Sequence, residues 1–214
     1  RLKWIRSDLK DKIYLIGLLI ISILISFFIV KNFSTNILIN TILISSALYL
    51  FFITLRDFFN KKYKNFAQNT AHFGFSLLIL SILFNNLFSS EIITNLKVGE
   101  TYDNSKTKIV FESINQKKEK NYKSIIANFN ITNSEGINNN LSPELRIYNQ
   151  PNITTSEADI KTTLMKDKFI VINLVQNQDY FNVRYQVKPF MLWIWLSVIM
   201  ISLGGLVSFL QKRI

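Results

Sequence analysis

The chain has 214 residues, of which 49% are hydrophobic and 14% aromatic, a composition too apolar for an ordinary soluble domain. It contains no cysteine and one histidine, which excludes disulfide scaffolds, thiolate metal sites and multi-histidine metal centres built by this chain alone. The net charge is +11, but residues 91–189 carry thirteen basic and eleven acidic side chains, so most of the excess flanks the apolar runs. We therefore expect no nucleic-acid partner.

Four apolar runs are long enough to cross a membrane as helices, since a hydrocarbon core of about 30 Å takes roughly 20 helical residues. The first two runs are separated by only six residues, which predicts a helical hairpin rather than a cleavable signal peptide. The sequence thus predicts a polytopic α-helical membrane protein with four transmembrane helices. The predicted spans, none of which contains Lys, Arg, Asp or Glu, are Ile13–Val30, Ile37–Leu55, Thr70–Phe88 and Phe190–Leu210.

Basic residues flank these runs on one predicted side of the membrane. They lie in residues 1–12, in residues 56–64 and in the tail after residue 210. Because Lys and Arg next to membrane spans are retained in the cytoplasm, we expect these flanks inside and the polar middle of the chain on the periplasmic side. The expected organisation is a three-helix transmembrane region over residues 1–88, a periplasmic β-rich domain over residues 89–189, and a C-terminal transmembrane helix with a cytoplasmic tail over residues 190–214.

The polar middle of the chain has the alternating pattern of half-buried strands. Apolar side chains at Ile125, Ala127, Phe129 and Ile131 alternate with polar ones, and a turn is predicted at residues 134–136. The same pattern predicts strands at residues 109–111, 169–172 and 180–187. Short strands and polar turns over this length favour a small all-β domain, which is either a sandwich or a barrel.

His72 is the first candidate for a functional side chain, because ionisable groups inside a span are rare and by default functional. A neutral imidazole is a good axial ligand for haem iron. The small residues Ala71 and Gly74 are expected to let a flat macrocycle approach the helix, and Gln68 and Ser76 are expected to orient the ring. A structural histidine that bonds a neighbouring helix is an equally good interpretation of this residue alone.

Two pairs of residues stand out in the fourth predicted span. Trp193 and Trp195 lie near its start, where tryptophans predict an aromatic belt at the membrane interface. Gly204 and Gly205 lie further along, where small residues predict close packing of helices. These structural interpretations account for all four residues.

Several short elements occur in a characteristic order along the chain. They are Ala71-His72-Phe73-Gly74, Leu141-Ser142-Pro143-Glu144-Leu145-Arg146-Ile147-Tyr148, Thr155-Ser156-Glu157-Ala158-Asp159-Ile160, Lys188-Pro189-Phe190, Trp193-Ile194-Trp195 and Gly204-Gly205. In this order and spacing they resemble the C-terminal part of the CcmF family of cytochrome c-type biogenesis proteins. The resemblance runs from about residue 71 to residue 213.

The resemblance implies a subunit of a haem lyase in the bacterial inner membrane, or in the mitochondrial inner membrane, surrounded by lipid. Such a subunit takes haem from a periplasmic haem chaperone and helps to attach it to the cysteine thiols of an apocytochrome c. The family also holds a haem b within the membrane between two histidines, and His72 matches one of them. The second axial ligand is then expected outside this chain, on the upstream part of the same protein or on a split subunit.

Further expectations follow from the same resemblance. The apocytochrome is expected to arrive with the subunit that reduces its thiols or presents it. The family's tryptophan-rich haem-handling segment and its external histidines lie upstream of the region matched here, so this chain alone is expected to carry no catalytic residue. It is expected to be either a fragment or one half of a split protein. Independently of the resemblance, Glu144 and Arg146 are two apart on a predicted strand and point to one side, so they are expected to contribute to the structure through a charge pair or a backbone contact, with a docking surface as the functional alternative.

Two other interpretations remain. ResB-like proteins of another cytochrome c maturation system share the order of three spans, an outer domain and a last span, but the elements at residues 143–146 and 193–195 favour CcmF. From a different class, a membrane sensor or scaffold would use its outer β-domain to bind a ligand or partner, and its histidine would be structural. That alternative predicts protein without haem.

Overall fold

A computed structural model describes residues 9–33, 36–59, 66–134, 136–175 and 179–211. Within these ranges the chain forms four helices and ten strands, which fall into a helical unit and a β unit. In chain order they are α1 (Leu9–Phe33), α2 (Ile37–Phe59), α3 (Phe66–Phe88), β1 (Ser90–Leu96), β2 (Thr101–Asp103), β3 (Thr107–Lys118), β4 (Tyr122–Asn133), β5 (Asn138–Leu141), β6 (Glu144–Tyr148), β7 (Thr154–Glu157), β8 (Asp159–Thr162), β9 (Lys166–Leu174), β10 (Phe181–Pro189) and α4 (Met191–Gln211).

All four helices are long and apolar enough to cross a membrane, as the sequence predicts. The first three are longer than the predicted spans. For example, α1 begins at Leu9 rather than Ile13, and α2 continues to Phe59 rather than Leu55. The prediction ended each span at its last apolar residues. Backbone hydrogen bonding extends these three helices about one turn further, into the flanking polar or less apolar residues.

The helical unit has a small apolar core and polar bonds between helices. Val30, Ile44, Leu48 and Leu80 bring α1, α2 and α3 together in one buried cluster. The Ser26 hydroxyl, fully buried, donates to the carbonyl of Thr41 on α2 at 3.2 Å. Most apolar side chains of α1 are exposed, which suits a helix surrounded by lipid or by further protein.

The start of α4 is fixed by contacts to the end of α3. Phe190 has a φ of 61°, in the left-handed region that bulky residues rarely adopt. Its ring packs against those of Phe84 and Phe88, with centroid distances of 5.5 and 6.5 Å. The Asn85 amide donates to the carbonyl of Pro189 at 2.5 Å. These contacts offset a backbone strain of about 1–3 kcal/mol and set the position of the first turn of α4.

The β unit is a sandwich, so the barrel alternative is wrong. One sheet has four strands in the order β1-β10-β9-β8, which we call sheet A, and the other has six, in the order β2-β3-β4-β6-β7 with β5 also paired to β4. Both sheets contribute to one buried core. Phe111 and Phe129 stack in it at 4.4 Å between ring centroids, and Phe181 of sheet A packs edge-on against Phe111 at 5.7 Å.

The alternation predicted for β4 is confirmed. Ala127, Phe129 and Ile131 are fully or almost fully buried, while the intervening residues are half-exposed. Tyr185 of β10 also points into the core, where burial raises the pKa of its phenol to about 12. The shared core of the β domain is therefore apolar and aromatic.

The first and last strands of the β unit are neighbours. β1 and β10 run antiparallel with Ser90 opposite Val187 and Leu96 opposite Phe181. The chain therefore enters and leaves the sandwich at one end of sheet A, with α3 ending at Phe88 and α4 beginning at Met191.

Candidate functional site

His72 is an exposed side chain of α3. Gln68, His72, Phe75 and Ile82 are all exposed and, at 100° per residue, lie on one side of the helix. We call these four residues the open stripe. His72 is the chain's one histidine, and the described residues contain no cluster of three or more His, Cys, Asp or Glu side chains that could hold a metal ion.

The side of α3 next to the open stripe packs tightly against α4. A Cβ at Gly74 would lie 3.0 Å from the Met200 Cβ, and a Cβ at Gly204 would lie 2.8 Å from the Ala71 Cβ. The expectation that Ala71 and Gly74 make room for a macrocycle is therefore wrong, because α4 already fills that space. The prediction of close packing is confirmed for Gly204 and wrong for Gly205, where no atom of the described residues lies within 4 Å of an added Cβ.

The other side of α3 packs against α2 through a buried polar pair and aromatic rings. Ser76, fully buried, shares a hydrogen bond of 2.6 Å with the Thr54 hydroxyl and lies 2.8 Å from the Phe73 carbonyl. The expectation that Ser76 orients the His72 ring is wrong, since its hydroxyl is used between helices. The Phe73 ring lies 5.5 Å from Phe51 and 5.3 Å from Phe58. Neighbouring helices thus fix α3 on two sides and leave the open stripe accessible.

The open stripe fits one half of a haem site. His72 offers a nitrogen ligand, and Phe75, 53% exposed, offers apolar surface about one turn away. Ile82, 48% exposed, extends the apolar surface further along the helix. An axial imidazole with apolar contacts is what a haem requires from one helix. A second histidine from this chain is excluded by the composition, so a bis-histidine site needs another segment to face the open stripe.

A charged cluster lies on β6 and its neighbours in the six-stranded sheet. Arg146 donates to Glu144 at 2.9 Å, lies 3.7 Å from a Glu157 oxygen, and places its guanidinium 5.2 Å from the centre of the Tyr122 ring. The Arg146 hydrogen bond lowers the pKa of the Glu144 carboxyl and raises that of the guanidinium. The predicted pair of Glu144 and Arg146 is confirmed.

A second charged cluster, on the outer face of sheet A, escaped sequence reasoning. Glu91 on β1 accepts hydrogen bonds from Arg184 and Gln186 on β10, the latter at 2.5 Å. The Gln186 and Arg184 donors lower the pKa of the Glu91 carboxyl. The partners are about ninety positions apart in the chain, so only the register of β1 with β10 reveals them.

The β unit is similar to a domain of known proteins. Residues 87–189 match the family model described as the CcmF C-terminal beta-sandwich. The chain is similar to the C-terminal part of CcmF. The cytochrome c-type biogenesis protein CcmF of Escherichia coli (strain K12) is 27% identical over 143 residues, which are 67% of this chain and 22% of that protein. The cytochrome c-type biogenesis protein NrfE of Haemophilus influenzae is 23% identical over 173 residues, 80% of this chain and 27% of that protein.

A solved structure shows the same fold across both units. The protein described as Cytochrome c Heme Lyase CcmF matches with a TM-score of 0.66 and 14% identity over 94% of this chain and 34% of its own. The chain spans about a fifth of the length of the curated CcmF relatives that it matches.

Proposed function

We propose that this chain is the C-terminal part of a cytochrome c haem lyase, placed in the bacterial inner membrane with its β domain on the periplasmic side. The observation that carries the proposal is the match of residues 87–189 to the CcmF C-terminal sandwich, next to a helix that presents its only histidine on an open side. The basic flanks support the orientation. The proposed partners are the rest of a CcmF protein, a periplasmic haem chaperone, and apocytochrome c with the subunit that presents it.

In this proposal His72 is one axial ligand of a haem b. When bound, that group supplies a one-electron iron centre within the membrane. The contribution of this chain is structural preorganisation. α2 and α4 hold α3 through the Thr54–Ser76 bond and the contact at Gly204, so the imidazole is presented on a rigid helix. Phe75, about one turn along the helix from His72, would shield the ligand nitrogen from water.

The test is His72→Ala in this chain, expressed together with the remaining CcmF segments. Loss of one of two imidazole ligands should lower the b-type absorbance of the purified complex and the amount of cytochrome c matured in the cell. Added imidazole should restore part of both by occupying the vacated position. The matched control is Ser202→Ala, which removes an exposed polar group from α4 whose hydroxyl bonds only its own helix at Val198.

The control variant should keep wild-type haem content and maturation. If the His72→Ala complex retains full haem and an unchanged spectrum, the ligand role is wrong. If the wild-type complex binds no haem at all, the sensor or scaffold interpretation is favoured instead.

A further inference from the structure

The turn between β8 and β9 spans residues 163–165, and the two residues at its end, between Thr163 and Lys166, are unusual in composition. Two-residue hairpin turns favour Gly, Asn and Asp, because these residues tolerate the positive φ angles of such turns and are readily solvated. Here the loop residues are Leu164 and Met165, which are 60% and 55% exposed. The hairpin is nonetheless closed, since the Thr163 N–H donates to the Lys166 carbonyl at 3.0 Å and the Lys166 N–H donates to the Thr163 hydroxyl at 3.2 Å. The two apolar side chains therefore project from a well-formed turn.

Apolar and basic residues extend this feature onto the adjoining strand ends. Ile160 on β8 is 57% exposed. Lys161 is exposed and Lys166 half-exposed on either side of the loop. We call Leu164 and Met165 with these three neighbours the β8–β9 tip. Exposed apolar side chains next to lysines are the combination found where a protein enters the interface of an anionic membrane.

Strand connectivity places the β8–β9 tip at one particular end of sheet A. β9 starts at the tip and runs to Leu174, and the connection to β10 is too short for a parallel crossover, so β10 returns antiparallel. The Val175 N–H donates to the Tyr180 carbonyl at 3.3 Å at the far end of this hairpin. The last residues of β10 therefore lie alongside the first residues of β9, at the same end of the sheet as the tip.

That end of sheet A is also where the chain joins the membrane-spanning helices. Ser90 pairs with Val187 there, and each of these residues is a few positions from a helix, Phe88 closing α3 and Met191 opening α4. We propose that the β8–β9 tip inserts into the interfacial region of the bilayer, as a third attachment of the β domain beside its two covalent links. Leu164 and Met165 enter the boundary between headgroups and acyl chains, while Lys161 and Lys166 contact anionic headgroups.

The experiment uses the absence of cysteine from the chain, which allows one labelled position at a time. The full chain carrying Met165→Cys with an environment-sensitive fluorophore is reconstituted into vesicles of phosphatidylcholine and phosphatidylglycerol. The matched control is Val98→Cys with the same fluorophore. Val98 is 49% exposed in a turn after β1, at the opposite end of sheet A, where Leu96 pairs with Phe181.

The label at residue 165 should show blue-shifted emission, quenching by lipids brominated near the glycerol backbone, and loss of quenching by aqueous iodide. The label at residue 98 should show no blue shift, no quenching by brominated lipids and strong quenching by aqueous iodide. Combining Lys161→Glu and Lys166→Glu with Met165→Cys should reduce the quenching by brominated lipid, because anionic headgroups then repel the tip.

The proposal would be overturned if iodide quenched the label at residue 165 as strongly as the label at residue 98. It would also be overturned by a blue shift without any quenching by brominated lipid, since protein rather than lipid would then cover the tip. The result does not depend on haem binding, so this proposal and the proposed lyase function can fail separately.

Discussion

Gly204 of α4 lies so close to Ala67 of α3 that a Cβ at residue 204 would stand 2.7 Å from the Ala67 carbonyl oxygen. Small residues at membrane helix contacts let backbones approach closely and gain van der Waals contact where lipid offers no hydrophobic driving force. The next glycine in sequence, Gly205, faces open space. Two adjacent glycines thus have different surroundings on the same helix.

Gly204→Ala should destabilise the helical unit by about 1–3 kcal/mol, because the added methyl group must push α4 away from α3. Gly205→Ala is the matched control, and it should be neutral or slightly stabilising because alanine favours the helix more than glycine does. The measurement is thermal unfolding of both variants in the same detergent. Equal melting temperatures for the two variants would contradict the packing described at residue 204.

The buried hydrogen bond between Thr54 and Ser76 should contribute modestly to the pairing of α2 with α3. Hydrogen bonds between membrane helices average about 0.6 kcal/mol in double-mutant cycles. Thr54→Val, Ser76→Ala and the double variant together measure the coupling energy from unfolding in detergent. A coupling energy indistinguishable from zero would mean that the two hydroxyls satisfy themselves within their own helices, as both also can at 2.8–3.0 Å.

The β domain should lose stability in acid through Glu144. Its folded pKa lies below the 4.5 of the free side chain, because Arg146 donates to it, so the pair stabilises the fold above that pH. The contribution is lost as the pH falls through the lowered folded value. Arg146→Met should flatten this part of the pH dependence, as measured by thermal unfolding of the β-sheet signal in circular dichroism.

Glu91 provides the comparison for that experiment, since its pKa is also lowered, by Gln186 and Arg184, and it is untouched in the Arg146→Met variant. Some acid dependence should therefore remain. If Arg146→Ala instead leaves the domain fully stable and abolishes partner binding, the structural role proposed for the Glu144 and Arg146 pair is wrong and a docking role is right.

The orientation of the β domain is testable by labelling single cysteines. Lys120→Cys, in the turn between β3 and β4, should react with a membrane-impermeant maleimide in intact spheroplasts, because the domain is proposed to be periplasmic. Lys62→Cys, at a position outside the described residues, should react only after permeabilisation. The opposite pattern would reject the orientation and with it the haem lyase proposal.

His72→Met tests the ligand role by replacing the imidazole with another side chain that can bind haem iron. A thioether ligand in place of imidazole raises the reduction potential of a haem, so the complex with the remaining CcmF segments should show a higher potential and a changed spectrum where haem is retained. The measurement is a redox titration followed by visible absorbance. An unchanged potential would mean that residue 72 does not touch the iron.

Sequence patterns predicted the helices and strands whose residues have a strong local pattern. They failed for features that depend on how these elements pack or pair with one another. Long apolar runs identified all four helices, and strict alternation identified β4. Short polar strands such as β7 (Thr154–Glu157) and β8 (Asp159–Thr162) were missed, because cross-strand pairing rather than composition makes them strands. The choice between sandwich and barrel also depended on which strands pair.

At the candidate site, too, local chemistry was predictable from the sequence and packing between helices was not. The importance of His72 follows from its chemistry and its place in a span, and its role as a ligand stays a prediction. The roles of Ala71, Gly74 and Ser76 depend on which sides of α3 are covered by α2 and by α4. The sequence of α3 alone does not specify where those helices pack. The Glu144 and Arg146 pair was predictable, because residues two apart on a strand share a face.

The pairing of Ser90 with Val187 makes the sandwich an insertion between two consecutive helices. Opposed residues of an antiparallel pair lie about 4.5–5.5 Å apart at Cα, a gap that a short glycine turn can close. We therefore expect that the domain can be excised, or exchanged for the sandwich of a relative, at splice points that leave the residues of the Gly204 contact unchanged. Chimaeras built in this way would assign partner choice to the sandwich or to the helices that carry it.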